Sequence, residues 1–388
     1  MITSRLAALA RPGLGALAMA LLAGCSVLPA SLPFFGSTVE KPKPAELQAN
    51  PGLLGVRQAW VARIGEVSYA LGPAVNGTTL TLASGAGSLV ALDSASGREL
   101  WRANAGAPLA AGVGSDGTTA AVITRANDVV AFADGKETWR QRMPALAYTP
   151  PFVAGGRVFV LAADRSVTAF DGRNGHKLWT QSRPGEPLVL SQSGVILAVG
   201  DTLVVGQGGR LAGLNPANGS IRWEAPIATA RGINDVERLT DLVGRVSRVG
   251  TNICARAFQT AVGCVDAARG TVAWTQRANG FEGVHGDEAN VFGTEADGKV
   301  VAWKRDTGQR AWTNERLLHR GLTAPLALGR SVVVGDSMGF VHFLSREDGS
   351  LLNRLSTDGS PIVAAPLVAG NTLVVVTRNG TVYGFVPE

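Results

Sequence analysis

ALDSASGRELW, residues 91–101, decides the fold, because the chain repeats this phrase with variations. Its elements are an apolar pair, an Asp or a polar substitute, a few turn-forming residues, Gly, three more residues and Trp. It returns as AFADGKETW ending at Trp139, AFDGRNGHKLW at Trp179 and GLNPANGSIRW at Trp223. It returns again as CVDAARGTVAW at Trp274 and AWKRDTGQRAW at Trp312. A last copy, FLSREDGSLLN, keeps Gly349 but carries Asn353 where the others have Trp. The phrase glycines are 97, 135, 175, 219, 270, 308 and 349, so successive copies lie 38, 40, 44, 51, 38 and 41 residues apart. Periods near 40 are those of propeller blades.

Between the phrases the pattern is β. In GGRVFVLAADRSVTAFD, residues 155–171, Val158, Val160 and Ala162 alternate with their neighbours, a turn follows, and Val167 and Ala169 resume the alternation. That is a hairpin of period two. Gly, Asn and Asp at the turns supply the positive φ that such hairpins use. Seven glycine phrases are visible, and the C-terminal NGTVYGFVPE stops just after the inner part of an eighth. QAWVARIG, with Trp60, supplies the missing strand from the other end of the chain. The expected fold is all-β: an eight-bladed propeller of four-stranded antiparallel blades, closed by the N-terminal strand, which leaves only short blade edges. One Trp per blade reads as a packing rule, each ring filling the wedge between neighbours and burying on the order of 200 Å².

The 388 residues are 46% hydrophobic and 17% charged, which excludes a disordered acidic chain. The formal charge is +6, but Lys and Arg are scattered with no run of five or more, so no nucleic-acid surface is read from it. Residues 1–24 read as a signal peptide: Arg5 and Arg11 precede an apolar stretch from Leu14 to Leu22, too short to span a membrane. Its removal lowers the charge by those two arginines, to +4. Residues 25–54, with Pro29, Pro33, Pro42, Pro44 and Pro51, read as a flexible tether, and 55–388 as the propeller.

Several motifs suggest chemistry that their context denies. GVGSDG, residues 112–117, has the dinucleotide-loop spacing, but the strand-like TTAAVIT follows where a helix is required. GDSMG, residues 335–339, matches a nucleophile elbow but lies between two strands. His176, His285, His319 and His342 share no metal-ligand spacing, so neither a metal nor a cofactor is expected. Cys254 and Cys264 flank one hairpin, and an exported chain meets an oxidising compartment. A three-residue loop centred on Gln259 sets them opposite, as a disulfide needs; a two-residue loop sets them on different faces.

Three resemblances add to this reading. Leu22-Ala23-Gly24-Cys25 resembles the bacterial lipobox, which implies a lipid on Cys25, and Ser26 after it implies sorting to the outer membrane. The repeat phrase resembles the Trp-docking repeat of the quinoprotein dehydrogenases, eight-bladed propellers that bind pyrroloquinoline quinone. Lipobox, tether and repeats together, with residues 317–349 and INDVERLTDL at 233–242, resemble the outer-membrane assembly factor family BamB. That resemblance implies a non-enzymatic scaffold of the β-barrel assembly (BAM) machinery, facing the periplasm and binding the POTRA domains of BamA, other subunits and unfolded outer-membrane clients. Its contact loops map onto Leu188 and Leu190, with Ser191 where the family motif has Arg. They map also onto Arg238, Leu239 and Asp241, with Val243 where the motif has a second acid. Pro184 and Pro187 before the first loop, and the 51-residue interval around the second, suit rim loops. A quinoprotein oxidoreductase and a periplasmic glycan-binding propeller remain the alternatives.

Overall fold

Each phrase builds the outer half of one blade. In the computed structural model, which describes residues 42–67, 72–183, 188–229 and 239–388, the strands form eight four-stranded sheets with neighbours antiparallel. Blades 1 to 7 occupy residues 74–104, 114–142, 152–181, 196–226, 242–277, 284–314 and 326–356 in chain order. Blade 8 takes Leu367–Ala369, Thr372–Val376 and Thr381–Pro387 from the C-terminus, and Val56–Arg63 as its outermost strand. That strand pairs from Val56 opposite Pro387 to Arg63 opposite Thr381, so the ring closes as the sequence predicts. No helix occurs among the described residues.

The second and third strands of every blade are apolar on both faces, because each blade packs between two others. Leu80, Leu89, Val122, Val130, Val158, Val204, Val291, Val332 and Val374 are all buried. Cores form between blades as well as within them: Ala83 and Leu89 of blade 1 share one with Val122, Val130 and Phe132 of blade 2.

The recurrent Trp docks on the following blade. Nε1 of Trp60, Trp139, Trp179, Trp274 and Trp312 donates to the backbone oxygen of Ser94, Gly172, Pro216, Arg305 and Arg346 respectively. Each ring lies on the phrase glycine of that next blade. A Cβ on Gly175 would stand 2.6 Å from the Trp139 ring, and the φ of +72° there favours glycine independently. The phrase therefore encodes both halves of a joint, the Trp for one neighbour and the Gly for the other.

The tether boundary differs from the expectation. Residues 44–54 are not free but run along blade 7. Ala45 N–H donates to Leu318 O and Leu53 N–H to Leu352 O, while Arg354 and Arg330 donate to the carbonyls of Gln48 and Leu53. Leu47 and Leu54 pack against the cores there. Polar, proline-rich composition marks this stretch as extended, but extended chain still docks where side chains meet its carbonyls.

Of the motifs without chemistry, the second is a turn as read, while the first includes a short strand with the turn just after it. Gly114–Ser115 leads into the strand Ala120–Ile123, and residues 336–339 turn between the strands Ser331–Gly335 and Phe340–Ser345. Cys254 and Cys264 are register partners, Cα atoms 3.9 Å apart with their sulfurs at bonding distance. Their hairpin has the three-residue loop, with Gln259 at its centre and a φ of +47°.

Candidate functional site

In an antiparallel blade the turn between the second and third strands opens on the same rim as the connection to the next blade. On that rim, residues 182–195 and 227–241 are the two longest connections between blades, joining blade 3 to 4 and blade 4 to 5. They carry Leu188, Leu190, Leu239 and Asp241. Cys25 and Arg238 lie outside the described residues.

Asp241 binds the two connections together. Its Oδ2 accepts the Leu190 N–H at 3.0 Å, and its Oδ1 pairs with Arg165 Nη2 at 3.3 Å. The same Nη2 donates to Leu188 O at 3.3 Å, and Asp241 O accepts the Phe258 N–H of blade 5. Arg165 sits at φ +65° in the turn of blade 3, so one guanidinium and one carboxylate join blade 3, the first loop and the second loop. Both side chains are largely covered, 12% exposed for Arg165 and 16% for Asp241. Asp241 is thus occupied within the rim, where the sequence suggested a charge offered to a partner. Two of its roughly four acceptor sites are taken by these internal donors, and the side chain is mostly covered.

The two leucines are also not equivalent. Leu188 is 39% exposed, whereas Leu190 and Val189 turn into a recess of about 50 Å³ shared with Leu161, Thr149 and Leu242. Further bonds hold the first loop. Gly194 N–H donates to Thr149 Oγ1 and Gln192 Nε2 to Phe281 O. At its start Arg183 pairs with Glu224 of blade 4, and this bond above all holds the Glu224 carboxyl below the usual carboxylate range. Leu239 is half-buried beside these contacts. Sequence reasoning missed Arg165, whose only signal was a non-glycine in a turn that demands positive φ. Among the described residues no group of three or more His, Cys, Asp or Glu side chains could hold a metal ion.

Fold and rim define a class: an eight-bladed propeller of the Trp-docking type, with its two longest connections on one rim joined through Asp241 and Arg165. A sequence profile described as "Outer membrane protein assembly factor BamB" matches residues 59–314. A protein of that description from Bordetella pertussis is 40% identical over 93% of this chain and 92% of its own length. One from Burkholderia pseudomallei is 38% identical, over 89% of this chain and 92% of its own. The crystal structure of BamB from Moraxella catarrhalis superposes with a TM-score of 0.78 at 24% identity, covering 85% of this chain and 99% of that one. Quinohemoprotein alcohol dehydrogenase from Comamonas testosteroni reaches 0.66 at 14% identity, over 89% and 79%, and shares the fold alone. The chain belongs to the outer membrane protein assembly factor BamB family.

Proposed function

We propose that the protein is a non-enzymatic scaffold of outer-membrane β-barrel assembly. It is held by a lipid on Cys25, faces the periplasm, and docks the POTRA domains of BamA with the rim of blades 3 to 5. The family name supports the general part, since the relatives at 38% and 40% identity are outer membrane protein assembly factors. The docking surface is supported by one observation: Asp241 and Arg165 bond the backbone of Leu188 and Leu190, and Leu188 stays exposed. An apolar side chain whose backbone is bonded on both sides, at Leu188 O and Leu190 N–H, is an anchor that loses less freedom on binding. Nothing comparable favours the quinoprotein reading, which has only a distant fold likeness behind it.

The double change Leu188→Ala, Leu190→Ala weakens binding to purified POTRA domains ten- to a hundredfold, at about 1.4 kcal/mol per decade, while the protein melts close to the wild type. Arg165→Gln weakens the same titration without removing any side chain of the apolar contact, because it frees the Leu188 carbonyl. Wild-type affinity in the folded double variant places the partner elsewhere on the propeller.

Nineteen residue steps separate Cys25 from Pro44, where the docked segment begins, so the propeller reaches at most about 65 Å from the lipid. Intact mass of the protein extracted from membranes tests anchor and bridge together. It is expected to carry acyl mass at Cys25 and to gain two hydrogens, at Cys254 and Cys264, on reduction. A mass equal to the bare chain removes the anchor from the proposal, and thiols alkylated without reduction remove the bridge.

A further inference from the structure

The innermost strands of all eight blades surround an axial channel of about 740 Å³, within the range of small-molecule sites. Most of its wall is apolar, with Val75, Val113, Val153, Ile196, Leu326 and Val368 from six blades. Three ionisable side chains interrupt it on one side: Arg245 of blade 5, and Glu282 and His285 at blade 6.

Arg245 is there by construction. In the first strand of blade 5, Val243 pairs with Arg256 and Ser247 with Cys254, so Gly244, Arg245 and Val246 stand opposite Ala255 alone. The bulge takes Arg245 out of the ladder and turns it to the channel, the re-aiming that bulges perform beside binding sites. Glycines on both sides make room. A Cβ on Gly283 would lie 2.1 Å from Arg245 N, and one on Gly244 would lie 2.6 Å from Gly194 O. The guanidinium crosses to blade 8, where Nη1 donates to Pro366 O at 2.7 Å. Among the described residues it has no carboxylate partner. Burial alone pulls it down to about 10.

The neighbouring groups favour an incoming anion. His285 Nδ1 accepts the Ala327 N–H at 3.0 Å, so the neutral ring carries its proton on Nε2 and is a donor at its other edge. Burial, then repulsion from Arg245 and Arg305, holds its pKa at about 3, so the ring is neutral. Glu282 does not neutralise Arg245: burial pushes its carboxyl up, and the groups that face it are the Ala324 N–H and Arg256.

We infer that the axial channel binds a small carboxylate with an apolar body, its carboxylate on the Arg245 fork beside His285 and its hydrocarbon against the aliphatic wall. A guanidinium removed from water without a counter-charge is costly, and its planar fork matches a carboxylate in two parallel bonds. The wall rewards the rest of the ligand by apolar burial.

Sodium octanoate is the probe, titrated calorimetrically into the purified protein, with octanol as the uncharged control. Saturable one-to-one binding is expected, at least tenfold tighter than octanol. Arg245→Met should weaken it at least tenfold. Ala365→Trp, which fills the channel beside Pro366 and leaves Arg245 in place, should abolish it and covers the case in which Arg245→Met does not fold. Absence of saturable binding, equal affinity for octanol, or wild-type affinity in either folded variant overturns the site.

Discussion

The joint between blades 2 and 3 and the joint between blades 7 and 8 do the same task with different chemistry. In the first, Trp139 lies on Gly175 and donates to Gly172 O, and Phe170 lines the same contact with ring centroids 5.9 Å apart. In the second, no Trp exists. Asn353 donates to Leu54 O and accepts from Asn50, so the N-terminal segment fills the place of the ring. The reason is topological. A docking Trp needs the glycine turn between the third and fourth strands of the next blade. Blade 8 has no such turn, because its fourth strand is Val56–Arg63 from the other end of the propeller, and Glu388 N–H donates to Gly55 O beside it. The missing Trp of the seventh phrase follows from how the ring is closed.

Blade 7 adds a buried charge network to its packing. Asp336 Oδ2 accepts from Arg320 Nε at 2.7 Å and lies 2.9 Å from His342 Nε2, and Oδ1 accepts the Met338 and Phe340 N–H groups. Arg320 Nη1 continues to Ala45 O, so this network clasps the docked segment from inside. Burial opposes the Asp336 charge, but the bonds from His342, Phe340 N–H and Arg320 outweigh it and hold the carboxyl below its usual range. Burial also keeps the His342 ring below its ordinary pKa, against the pull of Asp336.

Breaking the aromatic joint has the largest expected effect. Trp139→Ala should cost about 3–5 kcal/mol, the range for a large buried aromatic, read as a shift of the denaturant midpoint at constant slope. A smaller loss would mean that blades 2 and 3 are held mainly by their aliphatic faces.

Next comes Asp336→Asn, which leaves Arg320 buried without its counter-charge and should cost about 3 kcal/mol. Acid sharpens the contrast. The folded state keeps His342 neutral while the unfolded chain binds a proton below about 6.5, so stability falls as pH drops from there. Asp336 adds to the loss only at lower pH, through its depressed folded value. Asp336→Asn should make that lower part of the slope shallower, the remainder belonging to other depressed carboxyls such as Glu224 and Asp358. An unchanged profile between pH 4 and 2 would show that Asp336 is not the group responsible.

The smallest effect belongs to the docked segment. Leu47→Ala removes one half-buried side chain and should cost about 1 kcal/mol, with no change in the melting of Trp139→Ala beyond simple addition. Coupling between the two would mean that closure and blade packing are one cooperative unit.

Sequence alone determined the blades, their number and the closure, because each joint is written locally. The Gly must occupy positive φ, the Trp must follow at fixed spacing, and period-two alternation carries both through every repeat. It also pointed to Leu188 and Asp241 through the family resemblance. Only tertiary structure decided what these residues do. Asp241 is 76 positions from Arg165 and 51 from the Leu190 N–H, and no local pattern announces that they meet. The same holds for Arg245, Glu282 and His285, which come from two blades and line one channel. Hydrogen bonds and charges act over a few ångströms of space, whereas a repeat is read along the chain. What depended on one residue and its neighbours was legible, and what depended on which blades face one another was not.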